Sequence, residues 1–484
     1  MLTSLGINEV QRLSYISLLF IILNLSFVTI GYHYHYYPFK FATAQRAVIG
    51  GGEEEGDKRD DDNLLPIINK SNLTAEQVFK GLKFPTSMAF LGPNDILVLE
   101  KNNGTVQRVV NGNSLAKPLL NVPVANKGER GMLGIAVAKN LTRHTTYVFV
   151  YYTQSGGGKI GDDATAGIQS LGDRLYRYEL NNNDDDNNIK LTNPKLLLNI
   201  PTSPKTPNHN GGKIVIGPDQ NVYLVVGDVD KFYNLYFDHL PLATKAQNIQ
   251  NGKDPDGAGG ILRLTQDGKP VLQNNIFNSN KYPLSLYYAY GIRNSFGLAF
   301  DPVTGNLWDT ENGPDYGDEI NLVQPVFNSG WGKVQGIWYN NGSHEGAVAH
   351  SVSDLNNILV NIEGKGKYRS PEFIWNETVA PTGIAFLNSN KLGKQYENNM
   401  FVGDFKNGEL YDFKLNSSRT GLILNGTLTN KVSNTVKDSQ PLIFASGFKG
   451  GITDVKVNPY DGNMYILTAG GFIYRITSSS SSSH

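Results

Sequence analysis

Residues 213–228 read KIVIGPDQNVYLVVGD: an apolar run, a Gly-Pro-Asp turn and a second apolar run. Short runs of β-branched and aromatic residues separated by turn residues predict two antiparallel strands. The same order of small residue, apolar pair, turn and apolar strand recurs along the chain. The other copies are SMAFLGPNDILVLE (87–100), GIAVAKN (134–140), GLAFDPVTGNLWDTE (297–311), GIAFLNSNKL (383–392) and TDVKVNPYDGNMYILT (453–468).

These six copies predict an all-β fold, a six-bladed β-propeller, because repetition around an axis protects the edges of the sheets. A pair of β-sandwiches is the structural competitor, and six turn-and-strand units fit it less well. The copies are farther apart than the ~40 to 50 residues of a usual blade. The excess predicts long connecting loops, and loops gathered at one end of a propeller are where a site is built.

The composition excludes several classes of protein. Lys and Arg number 43 and Asp and Glu number 44, a formal net charge of −1, which argues against a globally basic nucleic-acid binder. The chain has no cysteine, so disulfides, thiolate zinc sites, iron–sulfur clusters and cysteine nucleophiles are excluded. Any metal must be bound by oxygen or histidine ligands.

The two ends of the chain read differently from the body. The uncharged apolar run at 15–30, YISLLFIILNLSFVTI, predicts that residues 1–44 are a signal peptide or a membrane anchor, with Ala42-Thr43-Ala44 resembling a cleavage site. Residues 45–75 are interpreted as a disordered acidic tether, 76–477 as the propeller and 478–484 as a flexible serine tail. The body is therefore expected outside the cytoplasm, secreted or anchored on the outer face of the membrane. Eight N-x-[ST] triplets outside the apolar run agree with that location: Asn69, Asn72, Asn103, Asn140, Asn341, Asn376, Asn416 and Asn425.

One segment carries residues suited to chemistry. In PNHNGGKIVIGPD (207–219), His209 stands just before a predicted strand, and Asp228 lies at the far end of the same strand unit. Histidine has a pKa close to neutrality, and a general base needs a partner that orients its ring. The turns GIRNSFG (291–297), ENGPDYGDEINLV (311–323) and FKNG (405–408) place further polar groups at strand ends.

Together these motifs resemble the soluble PQQ-dependent glucose dehydrogenases and aldose sugar dehydrogenases, the glucose/sorbosone dehydrogenase family. The resemblance covers about 400 residues, from GLKFPTSMAF (81–90) through GERGMLGIAV (128–137) and WNETVAPTGIAF (375–386) to GGITDVKVNPYDG (450–462). Ordered matches of this extent are specific for the family and its six-bladed propeller, and less specific for the activity.

The resemblance implies roles for individual residues. His209 matches the general base that takes the proton from the sugar C1 hydroxyl while hydride passes to the quinone, and Asp228 matches its carboxylate partner. Arg293 and Asn294 match residues that contact the quinone oxygens and the cofactor rim, and Arg293 is grouped with the catalytic residues.

Further cofactor and metal contacts are implied in the same way. Lys406 matches a lysine that contacts PQQ, and Trp375 matches an aromatic wall of the pocket. Gly313 and Pro314 match the pair whose backbone carbonyls bind the Ca²⁺ that polarises the cofactor, and hard oxygen ligands suit that ion.

The sequence departs from the family pattern at the cofactor carboxylates. Two arginines that bind them are replaced by Gly451 and Thr453, and a glutamine that contacts cofactor and substrate is replaced by Glu129. Charge-assisted hydrogen bonds contribute roughly 1.5 to 3 kcal/mol each, so the loss of two weakens cofactor binding substantially. Lys449 and Arg130 are the nearby cations that would compensate.

These observations give two hypotheses. The first is a calcium- and PQQ-dependent dehydrogenase that acts on aldose sugars or related alcohols and passes electrons to an external acceptor. The second is a propeller without this activity: an extracellular binding module resembling the hedgehog-interacting-protein branch, or a calcium-dependent lactonase-like hydrolase. The retained His209 and Asp228 favour the first, whereas the absent arginine pair favours the second. Neither involves a nucleic acid, and membrane association is expected only through an uncleaved N-terminal segment.

Overall fold

The structure is a computed structural model that describes residues 65–478 apart from 71, 141–144, 166, 182–188, 238, 240, 272–275, 278, 341–354 and 356. The chain divides into an N-terminal unit, Met1–Asn63, and a body, Leu64–His484. The signal peptide or anchor predicted at 1–44, the tether as far as residue 64 and the serine tail from residue 479 lie outside the described residues. Within the described part, no helix combines the length and apolarity needed to cross a membrane.

The body is built almost entirely of antiparallel strands, numbered here along the chain. The first sheet contains β3 (Pro85–Gly92), β4 (Asp95–Glu100), β5 (Thr105–Val110), β6 (Asn113–Ser114) and β7 (Leu120–Asn121). The second contains β8 (Met132–Asn140), β9 (Thr145–Gln154), β10 (Gly172–Asn181) and β11 (Lys190–Ile200). The third contains β12 (Ile214–Ile216), β13 (Val222–Val226), β14 (Gly260–Leu264) and β15 (Tyr287–Tyr290), extended by β19 (Phe327–Asn328) and β22 (Lys367–Tyr368).

Three further sheets complete the body. The fourth contains β16 (Ser295–Phe300), β17 (Leu307–Glu311), β18 (Asp318–Val323), β23 (Phe373–Trp375) and β27 (Val432–Ser433). The fifth contains β24 (Pro381–Phe386), β25 (Met400–Asp404), β26 (Leu410–Phe413), β28 (Ile443–Ser446) and β1 (Ile67–Ile68). The sixth contains β29 (Ile452–Val457), β30 (Met464–Thr468), β31 (Phe472–Ser478) and β2 (Leu73–Lys80). A separate hairpin pairs β20 (Val334–Gln335) with β21 (Trp338–Tyr339).

Helices are short where they occur in the described residues. One α-helix, α1, covers Lys231–Phe237. The 3₁₀-helices cover Asp162–Ala164, Lys245–Gln247, Leu284–Leu286, Ile362–Gly364, Lys394–Tyr396, Gly426–Asn430 and Val436–Leu442. They lie between strands, so the helices contribute connections and not a layer of their own.

The first strands of the six sheets form a closed ring. Each contacts the next in the order β3, β8, β12, β16, β24, β29 and back to β3. Apolar side chains between adjacent sheets make the core, and strands such as β13 and β30 are buried along their whole length. The predicted all-β propeller is therefore confirmed.

The prediction of six blades is corrected to five complete ones. Five sheets have four strands of three or more residues, whereas the sheet of β3, β4 and β5 ends in β6 and β7, which are two residues each and both pair with β5. Pro118 and Pro123 flank β7. Because proline has no N–H to donate, it interrupts a strand ladder, which explains the incomplete outer edge of this sheet.

The N-terminal part of the body also differs from the prediction. β2 begins at Leu73 and pairs antiparallel with β31, with Leu73 opposite Ser478, and β1 pairs with β28. Residues assigned by sequence to the end of the tether are thus strands of the sheets. β2, from the start of the body, thus completes the sixth sheet by pairing with β31.

A buried ion pair joins three sheets near the inner strands. The Lys213 ammonium, next to β12, bonds to the Asp454 carboxylate on β29. The other oxygen of Asp454 accepts hydrogen bonds from the Ser87 hydroxyl at 3.1 Å and from the Met88 N–H at 3.0 Å, both on β3. Burial lowers the pKa of Lys213 to about 8, against the attraction of Asp454. Sequence reasoning did not single out this pair.

Candidate functional site

The site lies at one end of the strands because the sheets are antiparallel meanders. His209 precedes β12, and Asp228 follows β13, which pairs antiparallel with β12. Arg293 and Asn294 lie between β15 and β16. In a meander, the start of the first strand and the end of the second meet at the same edge. The structure therefore brings together the side chains that the sequence grouped.

His209 and Asp228 form a buried pair. The Nδ1 atom of His209 lies 2.7 Å from Oδ1 of Asp228. The second oxygen of Asp228 accepts bonds from the Trp331 indole N–H at 2.8 Å and from the Phe232 backbone N–H at 3.3 Å. Asp228 is completely buried, and its partners fix its orientation. A proton on Nδ1 that is donated to Asp228 leaves Nε2 of neutral His209 as the basic nitrogen.

A second carboxylate, which the sequence analysis missed, also contacts His209. Oδ1 of Asp230 lies 3.1 Å from the same Nδ1 atom, and the Asp230 N–H donates to Asp228 Oδ1 at 3.0 Å. The backbones of His209, Val229 and Asp230 all adopt positive φ, at 58°, 45° and 57°. The acid two residues after Asp228 was the available signal, but strand spacing gives no indication of this left-handed turn.

The carboxylates control the protonation of His209. Burial and the positive charge of Arg293 lower the pKa of His209, whereas Asp230 and Asp228 raise it, and the net direction is upward. Burial alone raises the pKa of Asp228, but its interactions with His209 and Trp331 bring the net value below the ordinary one. The pair is therefore suited to accept a proton at His209 while Asp228 stays ionised.

Arg293 is held beside the pair. Its backbone N–H donates to Glu311 Oε1 at 2.6 Å, and its Nη1 donates to the Asn312 carbonyl at 2.8 Å. The guanidinium lies 5.2 Å from the centre of the Trp331 ring. Arg293 is buried, and its Nε has no hydrogen-bond partner among the described residues.

Glu129 and Asn294 frame the histidine. Oε2 of Glu129 accepts from the His209 backbone N–H at 2.8 Å and from the Asn294 side-chain amide at 2.9 Å. The side-chain oxygen Oδ1 of Asn294 accepts from the Gly211 N–H at 3.2 Å. Glu129, which departs from the family pattern, thus stabilises the turn that contains His209.

The Gly313–Pro314 turn and Lys406 lie at the same end. The Gly313 N–H donates to Asp318 Oδ1 at 2.9 Å, and Asp318 Oδ2 accepts from the N–H groups of Val379 and Ala380. Burial raises the pKa of Asp318 to about 6, and the charge of Lys406 partly opposes that shift. Lys406 is exposed, and its ammonium donates to the Thr378 carbonyl at 2.9 Å.

Trp375 is not placed as predicted. Its side chain is fully buried in the core, with ring centres 4.8 Å from Phe373 and 5.4 Å from Tyr411. It exposes no surface to a pocket, so the predicted aromatic wall is wrong for this residue. Trp331, which packs against Arg293 and bonds to Asp228, is the aromatic residue at the site.

Three carboxylates are buried behind the site on β17 and β18. Glu311 lies opposite Glu319 in the register, and Asp309 lies two residues before Glu311 on the same face. Burial and mutual repulsion raise the pKa of Asp309 and Glu319 well above the ordinary values, and burial raises that of Glu311 to about 7. Glu311 links this group to Arg293.

The structure excludes an arginine side chain at position 451. Gly451 has φ of 82°, and a Cβ there would lie 2.1 Å from the Phe405 carbonyl oxygen. Arg130 does not compensate, because its guanidinium bonds to Asp163 at 3.1 Å and to the Ser203 carbonyl at 2.7 Å. The backbone of this turn therefore requires glycine at position 451, where the family pattern has an arginine.

We expect Gly451→Ala to lower the free energy of unfolding by ~1 to 3 kcal/mol more than Gly447→Ala, because forced overpacking has that cost. Gly447 is a matched control: its φ is 84°, and the nearest atom to an added Cβ is Pro66 Cα at 3.9 Å. Denaturant unfolding of both variants measures the difference. Equal losses would show that the Phe405 carbonyl moves aside.

A separate cavity of about 490 Å³ lies at the opposite ends of the same strands. Tyr223, Arg263 and Tyr288 are among its lining residues. It contains none of the residues described above, so the chemistry of His209 is not located there.

Comparison with known proteins supports one family. A family model described as Glucose / Sorbosone dehydrogenase matches residues 82–475. The chain is 26% identical over 415 residues to aldose sugar dehydrogenase YliI of Escherichia coli, covering 84% of this chain and 94% of that protein. It is 27% identical over 442 residues to quinoprotein glucose dehydrogenase B of Acinetobacter calcoaceticus, covering 82% and 85%.

A solved structure has the same fold. The PQQ-bound aldose sugar dehydrogenase of Streptomyces coelicolor superposes with a TM-score of 0.57 at 23% identity, covering 85% of this chain and 99% of that one. At 23% identity, this similarity shows that the two proteins share a fold.

Proposed function

The chain belongs to the glucose/sorbosone dehydrogenase family, and from that membership we propose that it is a quinoprotein dehydrogenase that oxidises the C1 hydroxyl of aldose sugars or related alcohols. The His209–Asp228 pair is the observation that carries the proposal. A buried imidazole with an ionised partner on Nδ1 is the arrangement that a general base requires. The proteins to which the chain is similar are named as sugar dehydrogenases, which are oxidoreductases, and this supports the proposal.

The residues present fit PQQ, a quinone with several carboxylates, at the end that lies near His209. Arg293 is a buried cation whose Nε lacks a hydrogen-bond partner among the described residues, so it is available to a carboxylate or quinone oxygen. Arg293, Asn294 and Lys406 would hold the cofactor, and Glu129 would act through its bonds to His209 and Asn294. When bound, PQQ supplies the hydride acceptor, and the protein supplies orientation and charge.

The chain's own residues move the proton. Nε2 of His209 accepts the proton of the sugar hydroxyl, and the resulting imidazolium is stabilised by Asp228, 2.7 Å from Nδ1. Asp228 cannot rotate away because Trp331 and the backbone of α1 hold its second oxygen. Arg293 places positive charge beside the reacting groups, where developing negative charge needs stabilisation.

We propose the Gly313 and Pro314 carbonyls as Ca²⁺ ligands. Backbone carbonyls are hard oxygen ligands of the kind that Ca²⁺ prefers. The turn is fixed by the Gly313 N–H bond to Asp318, so the carbonyls are held in place before an ion arrives.

We also propose that the protein works outside the cytoplasm, with its N-terminal segment as a signal or an anchor, and reduces an external electron acceptor. The apolar run at 15–30 and the N-x-[ST] triplets support this. A second function, as a binding or hydrolytic propeller without quinone chemistry, is favoured by the Gly451 turn, which leaves no space for an arginine.

Reconstitution of the purified protein separates the two functions. PQQ and Ca²⁺ are added, and the cofactor absorbance is followed together with the reduction of an artificial acceptor in the presence of aldoses. Binding with sugar-dependent reduction supports the dehydrogenase. An absence of PQQ binding at high micromolar concentration rejects it and leaves the second function.

The pH profile should reflect the raised pKa of His209. The base is active when neutral, so kcat/KM is expected to fall as the pH decreases through a value above the ordinary 6.5 of histidine. Asp230 contributes to the upward shift, and Asp230→Asn should move this acidic limb to lower pH. An unmoved limb in the variant would show that Asp230 does not act on the base.

A further inference from the structure

His209, Asp228 and Asp230 form a cluster of metal-ligand character. One potential ligand atom from each residue lies within 4.8 Å of the others, and all three residues are buried. Two carboxylates converge on one imidazole nitrogen, at 2.7 Å and 3.1 Å. In either form of the imidazole, Nδ1 carries at most one proton, so it can donate a good hydrogen bond to only one of the two carboxylates.

Asp230 provides an independent sign of a missing partner. Its Oδ2 atom is buried and has no hydrogen-bond partner among the described residues. The whole residue is 4% exposed, so its carboxylate is largely shielded from water. A buried carboxylate oxygen without a partner is costly unless something else satisfies it.

We propose that His209, Asp228 and Asp230 bind a first-row divalent cation such as Zn²⁺, and that the bound ion switches off the general base. One imidazole and two carboxylates suit Zn²⁺ better than Ca²⁺, which prefers oxygen ligands throughout. Zn²⁺ bonds to nitrogen and oxygen at about 2.0 to 2.2 Å, so tetrahedral ligand atoms stand about 3.4 Å apart. The two separations from Nδ1 to the carboxylate oxygens, 2.7 Å and 3.1 Å, reach that spacing with shifts of less than an ångström.

The consequence for the base follows from proton balance. Zn²⁺ takes the Nδ1 lone pair, and the single proton of neutral imidazole then lies on Nε2. If His209 was protonated on both nitrogens, one proton is released to solvent. In either case Nε2 carries a proton and no longer accepts one from the sugar. The ion therefore inhibits without touching the substrate.

Zinc binding is measured by calorimetric titration of the protein with excess Ca²⁺ present and without PQQ or sugar. The wild type should bind one more Zn²⁺ than His209→Ala, and Asp230→Asn should weaken that binding at least about tenfold. Asp254→Asn is the control, since Asp254 is an exposed carboxylate bonded to Lys245. Co²⁺ should give ligand-field absorption in the wild type and in the control variant.

Equal zinc stoichiometry and affinity in all four proteins would overturn the proposal. In the reconstituted enzyme, Zn²⁺ should inhibit the wild type and act at least about tenfold less strongly on Asp230→Asn. Equal inhibition of both would also count against it. Only the inhibition rests on the proposed function: if the dehydrogenase assay fails while the titration distinguishes the variants, the metal site stands and the redox activity does not.

Discussion

His209→Ala is expected to lower kcat for aldose oxidation by ~10²- to 10⁴-fold, the usual contribution of a positioned general base. The variant removes the only imidazole that Asp228 contacts in the described residues, while Arg293, Asn294 and Lys406 remain to hold the cofactor. Steady-state rates with an aldose and an artificial acceptor measure the loss. Cofactor absorbance in the same samples shows whether PQQ is still bound.

His239→Ala is the matched control, because His239 is exposed and the chemical change is identical. The control should keep the wild-type rate. An unaffected rate in His209→Ala would refute the role of His209 as the base. Loss of cofactor absorbance together with the rate would instead assign His209 to cofactor binding.

The second large effect concerns stability. Asp454→Ala is expected to lower the free energy of unfolding by ~3 to 5 kcal/mol, since it leaves the Lys213 charge buried without its partner. It also removes the acceptor of the Ser87 hydroxyl and the Met88 N–H. Denaturant unfolding followed by tryptophan fluorescence measures the change.

Asp267→Ala serves as the comparison. Asp267 is likewise paired with basic side chains, those of Arg177 and Lys195, but its own side chain is 59% exposed. Exposed ion pairs contribute ~0 to 1 kcal/mol. A loss at Asp454 no larger than that at Asp267 would mean that Lys213 finds another partner or becomes neutral in the variant.

The inner part of the fold was predictable from the sequence, and the outer part was less so. The repeat at 87–100 corresponds to β3 and β4, and that at 213–228 to β12 and β13. The second strand of each of these repeats, β4 or β13, is almost wholly buried, so it needs a continuous apolar run that is easy to recognise. Outer strands such as β6 and β7 face solvent and leave no such pattern, which explains the error in the blade count.

The site was predicted unevenly for a similar reason. His209, Asp228 and Arg293 stand at strand ends that the repeat located, and the structure brings them together. Asp230 was missed because a left-handed turn is set by tertiary contacts. Trp375 was misplaced because position in the chain does not indicate on which side of a sheet an aromatic ring lies.

The pairing of β2 with β31 has a consequence for synthesis of the protein. Leu73 faces Ser478, so the sixth sheet gains this strand pair only after β31, about 400 residues later in the chain, has left the ribosome. Until then β2 is an unpaired edge that other strands can join. Because contacts between distant residues slow folding, ring closure should be the late step. A nascent chain that stops before β31 is therefore the form most exposed to aggregation.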